Sequence, residues 1–154
     1  MPIEKYMLSW QDIEKCVQQL ADNIRESRFT PDILVGITRG GLIPLALLSE
    51  ELDITNIITF SATSYSGTRR GELLITYRPA VDLRGKKVLL IDEIADSGTT
   101  LFAIAHELKE KYYVSELKTA VLAINQQHCI QHPDYFCIED TRWIVFPWEK
   151  DLDS

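Results

Sequence analysis

The sequence predicts an α/β domain built on a central, mostly parallel sheet flanked by helices. Three observations carry that prediction. Short apolar runs rich in Val, Ile and Leu alternate with stretches whose apolar residues recur every three to four positions. Two of the runs, at 33–37 and 87–91, read as buried strands. Both lead directly into a polar turn followed by a helical stretch, the order expected of parallel strands joined by crossover helices. The chain has 154 residues, the length of one domain spanning 1–154. Its 45% hydrophobic and 25% charged residues lie near the globular average and exclude a disordered, collagen-like or disulfide-scaffold chain.

The elements follow in order. Ser9 with Asp12 forms a capping-box pattern, and Ile13, Cys16, Val17, Leu20, Ala21 and Ile24 recur at helical spacing, which predicts a helix over 10–26. Asp32 opens a strand over 33–37 that ends in Thr38-Arg39-Gly40-Gly41, and a helix is expected over 42–52. Residues 54–60 are rich in β-branched side chains and read as a strand. The polar stretch 61–72 reads as a long loop, mobile and functional, with a strand over 73–77 on its far side. The strand at 87–91 precedes the acidic turn Asp92 to Asp96, and Leu101, Ile104, Ala105 and Leu108 predict a helix over 101–111. Further strands are expected at 117–124 and 136–138, before an aromatic tail at 143–148.

Charge and cysteine usage narrow the function. Lys plus Arg is 16 and Asp plus Glu is 23, a net charge of −7. A non-specific nucleic-acid binder needs the opposite balance, because its affinity comes from displacing counterions from phosphates. No stretch approaches the ~18 apolar residues of a membrane helix, and the N-terminus lacks the basic-then-apolar pattern of a signal peptide. A cytoplasmic location is expected. Cys16, Cys129 and Cys137 are odd in number and match no common zinc spacing, so they read as free thiols.

Two strand ends carry chemistry. In Gly36-Ile37-Thr38-Arg39-Gly40-Gly41, paired glycines permit a tight turn that brings backbone N–H groups near an anion, and Arg39 adds a cation. In Ile91 to Leu101, three acids, Asp92, Glu93 and Asp96, lie within five positions. Their mutual repulsion destabilises the turn unless a cation or hydroxyl groups sit among them. Asp96-Ser97-Gly98-Thr99-Thr100 then offers hydroxyls and N–H groups at a helix N-terminus, a cradle for a phosphate. A sugar phosphate with a bound divalent cation satisfies both halves.

IDEIADSGTTL resembles the phosphoribosyl-pyrophosphate (PRPP) motif of type I phosphoribosyltransferases, and GITRGG resembles the pyrophosphate loop of that family. YMLSW, SYSGTRRGE and DTRWIVFPWE are similar to segments of the small xanthine-guanine and hypoxanthine-guanine members. The resemblance implies the family's fold, with a small hood formed by the terminal segments and a base-binding part over about 125–150. It implies transfer of the phosphoribosyl group from PRPP to guanine, xanthine or hypoxanthine, dependent on Mg²⁺. It implies that Asp92 and Glu93 hold the ribose hydroxyls, with Asp92 the metal contact, and that Asp96 is the general acid/base near purine N7. Ser97, Gly98, Thr99 and Thr100 would bind the 5′-phosphate. Thr38, Arg39 and Gly40 would bind pyrophosphate, at a loop where a non-proline cis peptide is common, with Arg39 catalytic beside Asp96. Arg69 or Arg70 would reach pyrophosphate from the mobile loop, which closes over PRPP. Trp143 would stack on the purine and Ile144 would offer backbone groups to its edge. The Lys that donates to the purine 6-oxo group in these enzymes is absent, and Gln126 stands at or next to its place. A homo-oligomer, dimer or tetramer, is expected. The same fold also hosts PRPP- or nucleotide-binding regulators and transferases for other bases.

Overall fold

The computed structural model describes residues 3–65 and 72–150. The chain runs β1 (Lys5–Met7), α1 (Trp10–Glu26), β2 (Ile33–Thr38), α2 (Leu42–Leu52), β3 (Ile57–Tyr65), β4 (Glu72–Tyr77), β5 (Lys87–Ala95), α3 (Thr99–Glu110), β6 (Glu116–Asn125), β7 (Ile138–Asp140) and β8 (Trp143–Val145). Six strands form the main sheet in the order β4-β3-β2-β5-β6-β7. Every pairing in it is parallel except β3 with β4. β1 and β8 make a separate parallel pair from the two ends of the chain.

Strand alternation builds a core on each face of the sheet. Leu34, Leu89, Ile91, Ala120 and Leu122 point towards α1 and α2, against Ile13, Val17, Leu20, Leu45 and Leu48. Ile33, Val35, Ile37, Val88, Leu90 and Val121 point the other way, against Leu101, Ile104 and Leu108 of α3. With both faces covered, the central strands carry no polar alternation, as all-parallel sheets require. Gly36 lets α2 settle on β2: a Cβ there would lie 2.7 Å from Leu45 Cδ2. The capping box of α1 is present, with Asp12 N–H donating to Ser9 Oγ and Ser9 N–H donating to the Asp12 carboxylate. No helix among the described residues is long and apolar enough to cross a membrane.

Several boundaries move from where the sequence places them. Residues 54–56 lie outside β3. Asp53 turns left-handed to end α2, and Ile54 N–H donates back to the Ser49 carbonyl, so this apolar residue closes the helix instead of opening the strand. The stretch expected as a loop over 61–72 contributes strand at both ends, because 61–65 extend β3 and Glu72 opens β4. Arg69 and Arg70 lie outside the described residues. β5 runs on to Ala95, so Asp92 and Glu93 belong to the strand itself and not to a turn after it. The strand expected at 136–138 lies at Ile138–Asp140. Before it, the Asp134 carboxylate accepts from Thr119 N–H and Tyr135 bridges to Ala120, which docks that segment on the β6 edge first. β1 carries no local signal, since its partner lies at the far end of the chain.

Leu20 is fully buried between α1 and the sheet, whereas Ile130 is 95% exposed. Leu20→Ala is expected to destabilise the protein by about 2 to 5 kcal/mol and Ile130→Ala by no more than about 0.5 kcal/mol. Urea unfolding of the two variants checks this.

Candidate functional site

The parallel pairing of β2 with β5, in register at Gly36 and Ile91, sets the carboxyl ends of both strands side by side. Ligands gather at such a place in open α/β sheets. At the first end, the peptide between Thr38 and Arg39 is cis, as the resemblance implies. Gly41 N–H donates to the Ile37 carbonyl and starts α2 tightly; a Cβ on Gly41 would lie 2.5 Å from that carbonyl oxygen. Thr38 has its hydroxyl engaged by Ser61 Oγ of β3, and Arg39 is exposed. Gly40 serves a purpose that spacing does not reveal. A Cβ there would coincide with the Glu93 carboxylate, so the missing side chain lets Glu93 lie directly on the loop.

At the second end, Asp92 is only 7% exposed, and its Oδ1 accepts from Glu93 N–H at 2.8 Å. Burial, and then the charge of Glu93, pushes the Asp92 carboxyl well above the ordinary range. Burial chiefly, with a contribution from the charge of Glu149, raises Glu93 as well. These are oxygen ligands held close together. Among the described residues no group of three or more metal-ligating side chains occurs. The pair therefore suits a hard cation that brings other ligands with it, the usual manner of Mg²⁺ with substrate phosphates.

The chain then turns through Asp96 and Ser97 into Gly98, which adopts φ +90° at the N-cap of α3 and offers no side chain to its amides. Ser97 Oγ accepts from Thr99 N–H at 3.2 Å and lies 2.9 Å from Thr99 Oγ1. The stretch from Asp92 to Leu101, including Thr100, lines a cavity of about 190 Å³. A dipole-favoured helix start whose N-cap residue has no side chain, with two or three hydroxyls beside it, suits a phosphate. Asp96 is exposed and paired with His128, Oδ1 to Nδ1 at 3.2 Å.

Two more cavities adjoin this one. One of about 810 Å³ runs along Arg39, Gly40, Trp148, Glu149 and Lys150. The other, about 260 Å³, is bordered by Asp96, Asn125, Arg142, Trp143, Ile144 and Phe146. Glu93 borders all three. Trp143 is 61% exposed with its ring available, while Ile144 is buried and paired with Tyr6 of β1. Arg142 is held by two charge-assisted bonds to Asp140, at 2.9 and 2.7 Å, and its guanidinium lies 4.4 Å from the Tyr6 ring centre. That partner holds the Asp140 carboxyl down at about 2.

The structure thus brings together Arg39, Gly40, Asp92, Glu93, Asp96, Ser97, Gly98, Thr99, Thr100, Trp143 and Ile144. Gln126 is the exception. It is exposed, its N–H is spent on the Asp140 carbonyl, and the preceding residue, Asn125, borders the cavity instead. β6 ends at Asn125, so Gln126 is the first residue past the strand. Asn125, Arg142 and Glu149 line the cavity beside Trp143, and His128 pairs with Asp96, roles that the sequence does not suggest for them. His128, Arg142 and Glu149 follow β6. Arg142 and Glu149 lie within the DTRWIVFPWE segment and Asn125 is next to Gln126, but no spacing sets any of them apart.

Both Asp92 and Glu93 are acids whose folded values are raised, so folding disfavours their ionised forms. The penalty is absent below the ordinary carboxylate range and grows as the pH rises above about 4. Asp92→Asn is therefore expected to raise the melting temperature at pH 7 by about 2 to 4 °C. It should also flatten the loss of stability between about pH 4 and pH 7; calorimetric scans across pH check both. Gly40→Ala is expected to lower the melting temperature, and Glu93→Ala should relieve most of that loss. A double-mutant cycle measures the coupling.

Comparison with known proteins bears on this arrangement. A family model for the phosphoribosyl transferase domain matches residues 5–154. The xanthine-guanine phosphoribosyltransferase of Chromohalobacter salexigens is 29% identical over 147 residues, covering 95% of this chain and 85% of that protein. Among solved structures, a purine phosphoribosyltransferase from Pyrococcus horikoshii superposes with a TM-score of 0.85 at 35% identity, over 95% of each chain. The xanthine-guanine-hypoxanthine phosphoribosyltransferase of Helicobacter pylori also gives 0.85, at 29% identity, over 97% of this chain and 96% of its own. The match spans the Arg39 loop, the acidic strand end and the Trp143 strand that together enclose the three cavities, and by it this chain belongs to the phosphoribosyltransferase family.

Proposed function

We propose that the protein is a purine phosphoribosyltransferase. It transfers the 5-phosphoribosyl group of PRPP to guanine, xanthine or hypoxanthine, giving the nucleoside 5′-monophosphate and pyrophosphate. The observation that carries this reading is the convergence of three chemically distinct cavities on Glu93. The start of α3 suits the 5′-phosphate, the Arg39 loop suits pyrophosphate, and the cavity below Trp143 suits a flat base. Relatives named for xanthine-guanine and purine transfer support the same substrates.

The chemistry follows from the placement. Asp92 and Glu93 hold the ribose hydroxyls at the junction. Asp92 would hold Mg²⁺, which would supply charge neutralisation for the departing pyrophosphate. Arg39 and the loop N–H groups around Gly40 bind the leaving pyrophosphate, and Ser97, Gly98, Thr99 and Thr100 anchor the 5′-phosphate. The C1′–oxygen bond breaks with its electron pair going to pyrophosphate, and the purine nitrogen donates the pair that forms the new C1′–N bond. Asp96, beside N7, takes up the proton that the base loses. Trp143 holds the ring flat against the cavity wall.

Pyrophosphate release with PRPP, Mg²⁺ and each of the four purines tests the proposal. Turnover with 6-oxopurines is expected. PRPP binding by calorimetry without turnover on any base would favour a PRPP-binding regulator instead. Asp96→Asn should lower kcat by about 10² to 10⁴ while the PRPP Kd stays within a factor of two or so. Trp143→Ala should raise KM for the base by about tenfold to a hundredfold, the loss of one aromatic stack.

A further inference from the structure

Cys16 and Cys137 come from distant parts of the chain and meet at the edge of the α1 core. Cys16 lies on the buried stripe of α1, between Ile13 and Leu20. Cys137 immediately precedes β7, is half-buried, and packs against the same cluster. Its N–H donates to the Leu122 carbonyl at 3.3 Å, which holds its backbone on β6. Two side-chain contacts pin this segment to α1. Tyr135 Oη lies 2.7 Å from Ser27 Oγ, and Cys137 Sγ lies 3.4 Å from Gln19 Oε1. Gln19 is about one helical turn beyond Cys16, so Cys137 sits over that turn of the helix. Gln19 is itself exposed, so this corner is open to solvent.

The two thiols share a hydrogen bond, with Cys16 donating and Cys137 accepting. That bond makes them different. Together with burial it pushes the Cys16 thiol up, so Cys16 keeps its proton. The same bond holds Cys137 below the ordinary thiol range, against the opposing effect of burial. The Gln19 amide can turn to offer its oxygen to a thiol or its NH₂ to a thiolate. A solvent-reachable thiolate beside a buried, protonated thiol is the pairing of an attacking and a resolving cysteine. Cys129 has no such setting. It is buried, its Sγ donates to the Gln131 carbonyl at 3.3 Å, and burial chiefly pushes it up.

We propose that Cys137 and Cys16 are a modification site for hydroperoxides, forming a reversible disulfide that ties α1 to the segment entering β7. The Cys137 thiolate attacks the O–O bond of the peroxide and becomes a sulfenic acid, and the distal oxygen leaves as hydroxide or alkoxide. The Cys16 sulfur then attacks the sulfenic sulfur. The S–S bond forms, and the sulfenic hydroxyl leaves with the Cys16 proton as water. The peroxide gains the two electrons that the two thiols lose. Two equivalents of a small thiol such as glutathione reverse the step by exchange and are themselves oxidised to the disulfide. The bond would brace the strand that carries Asp140, the partner of Arg142 beside Trp143. It does not depend on the transferase reading above.

Treating the folded full-length protein with hydrogen peroxide, alkylating the remaining thiols and mapping peptides by mass spectrometry tests this. The expected product is a Cys16–Cys137 linked peptide within one chain, with Cys129 still alkylated and the intact mass short by two hydrogens. Dithiothreitol should restore both thiols. Cys16→Ser should stop the reaction at the Cys137 sulfenic acid, trapped as its dimedone adduct. Cys137→Ser should slow thiol loss by at least about tenfold, since the remaining thiols are buried and protonated. Sulfinic acid at Cys137 of the wild-type protein without a cross-link overturns the inference. So does a cross-link through Cys129 or between two chains, an unreactive wild-type protein, or equal rates in Cys137→Ser and wild type. The wild-type peptide map decides the matter even if a variant fails to fold.

Discussion

The parallel pairing of β2 with β5 is the constraint on which the rest of the structure depends. It is a backbone interaction, fixed in register by strands buried on both faces, and a slip of one residue would turn every core side chain to the wrong side. In this register the turn that ends at Gly40 and the acidic end of β5 become neighbours. The clearest sign of their mutual fit is the Glu93 carboxylate, which occupies the space where a side chain at residue 40 would be. A glycine that reads as an anion-binding turn residue is also required by packing against an acid more than fifty residues away.

That fit is held against an electrostatic penalty. Asp92 is buried with Glu93 half-buried beside it; burial chiefly pushes both carboxyls up, with the charge of Glu93 adding at Asp92 and that of Glu149 adding at Glu93. A chain selected only for stability would place apolar residues at the end of β5, continuing Val88 to Ile91. A cation or hydroxyl groups bound at this strand end would relieve the penalty. The C-terminal side of the site has the opposite character. Arg142 and Asp140 satisfy one another, Tyr6 covers the guanidinium, and β1 pairs with β8, so the wall beside Trp143 is held in place by the N-terminus of the same chain.

The helices and central strands are legible in the sequence because burial there follows one period over many residues. The helix 10–26 needs only the spacing from Ile13 to Ile24 and the Ser9–Asp12 cap. The acidic and Gly-Thr turns are legible because each is a contiguous run, and its residue types together admit few chemistries. What failed was local in sequence but decided at a distance. Ile54 looked like strand and serves as a helix end, because Asp53 adopts the left-handed conformation. Residues 61–65 looked like loop and are strand, because β4 supplies hydrogen-bond partners.

By itself, then, the sequence determined the alternation of buried strands and helices, the two ligand-facing turns, and the family to which they point. These rest on side-chain periodicity and on residues adjacent along the chain. Only the tertiary structure decided that Asn125 and not Gln126 borders the cavity beside Trp143, that His128 pairs with Asp96, and that β1 props the wall carrying Trp143. Each of these depends on strand register or on a contact between distant segments. Register is set by the sum of the packing across the whole sheet, and no stretch of sequence carries that sum.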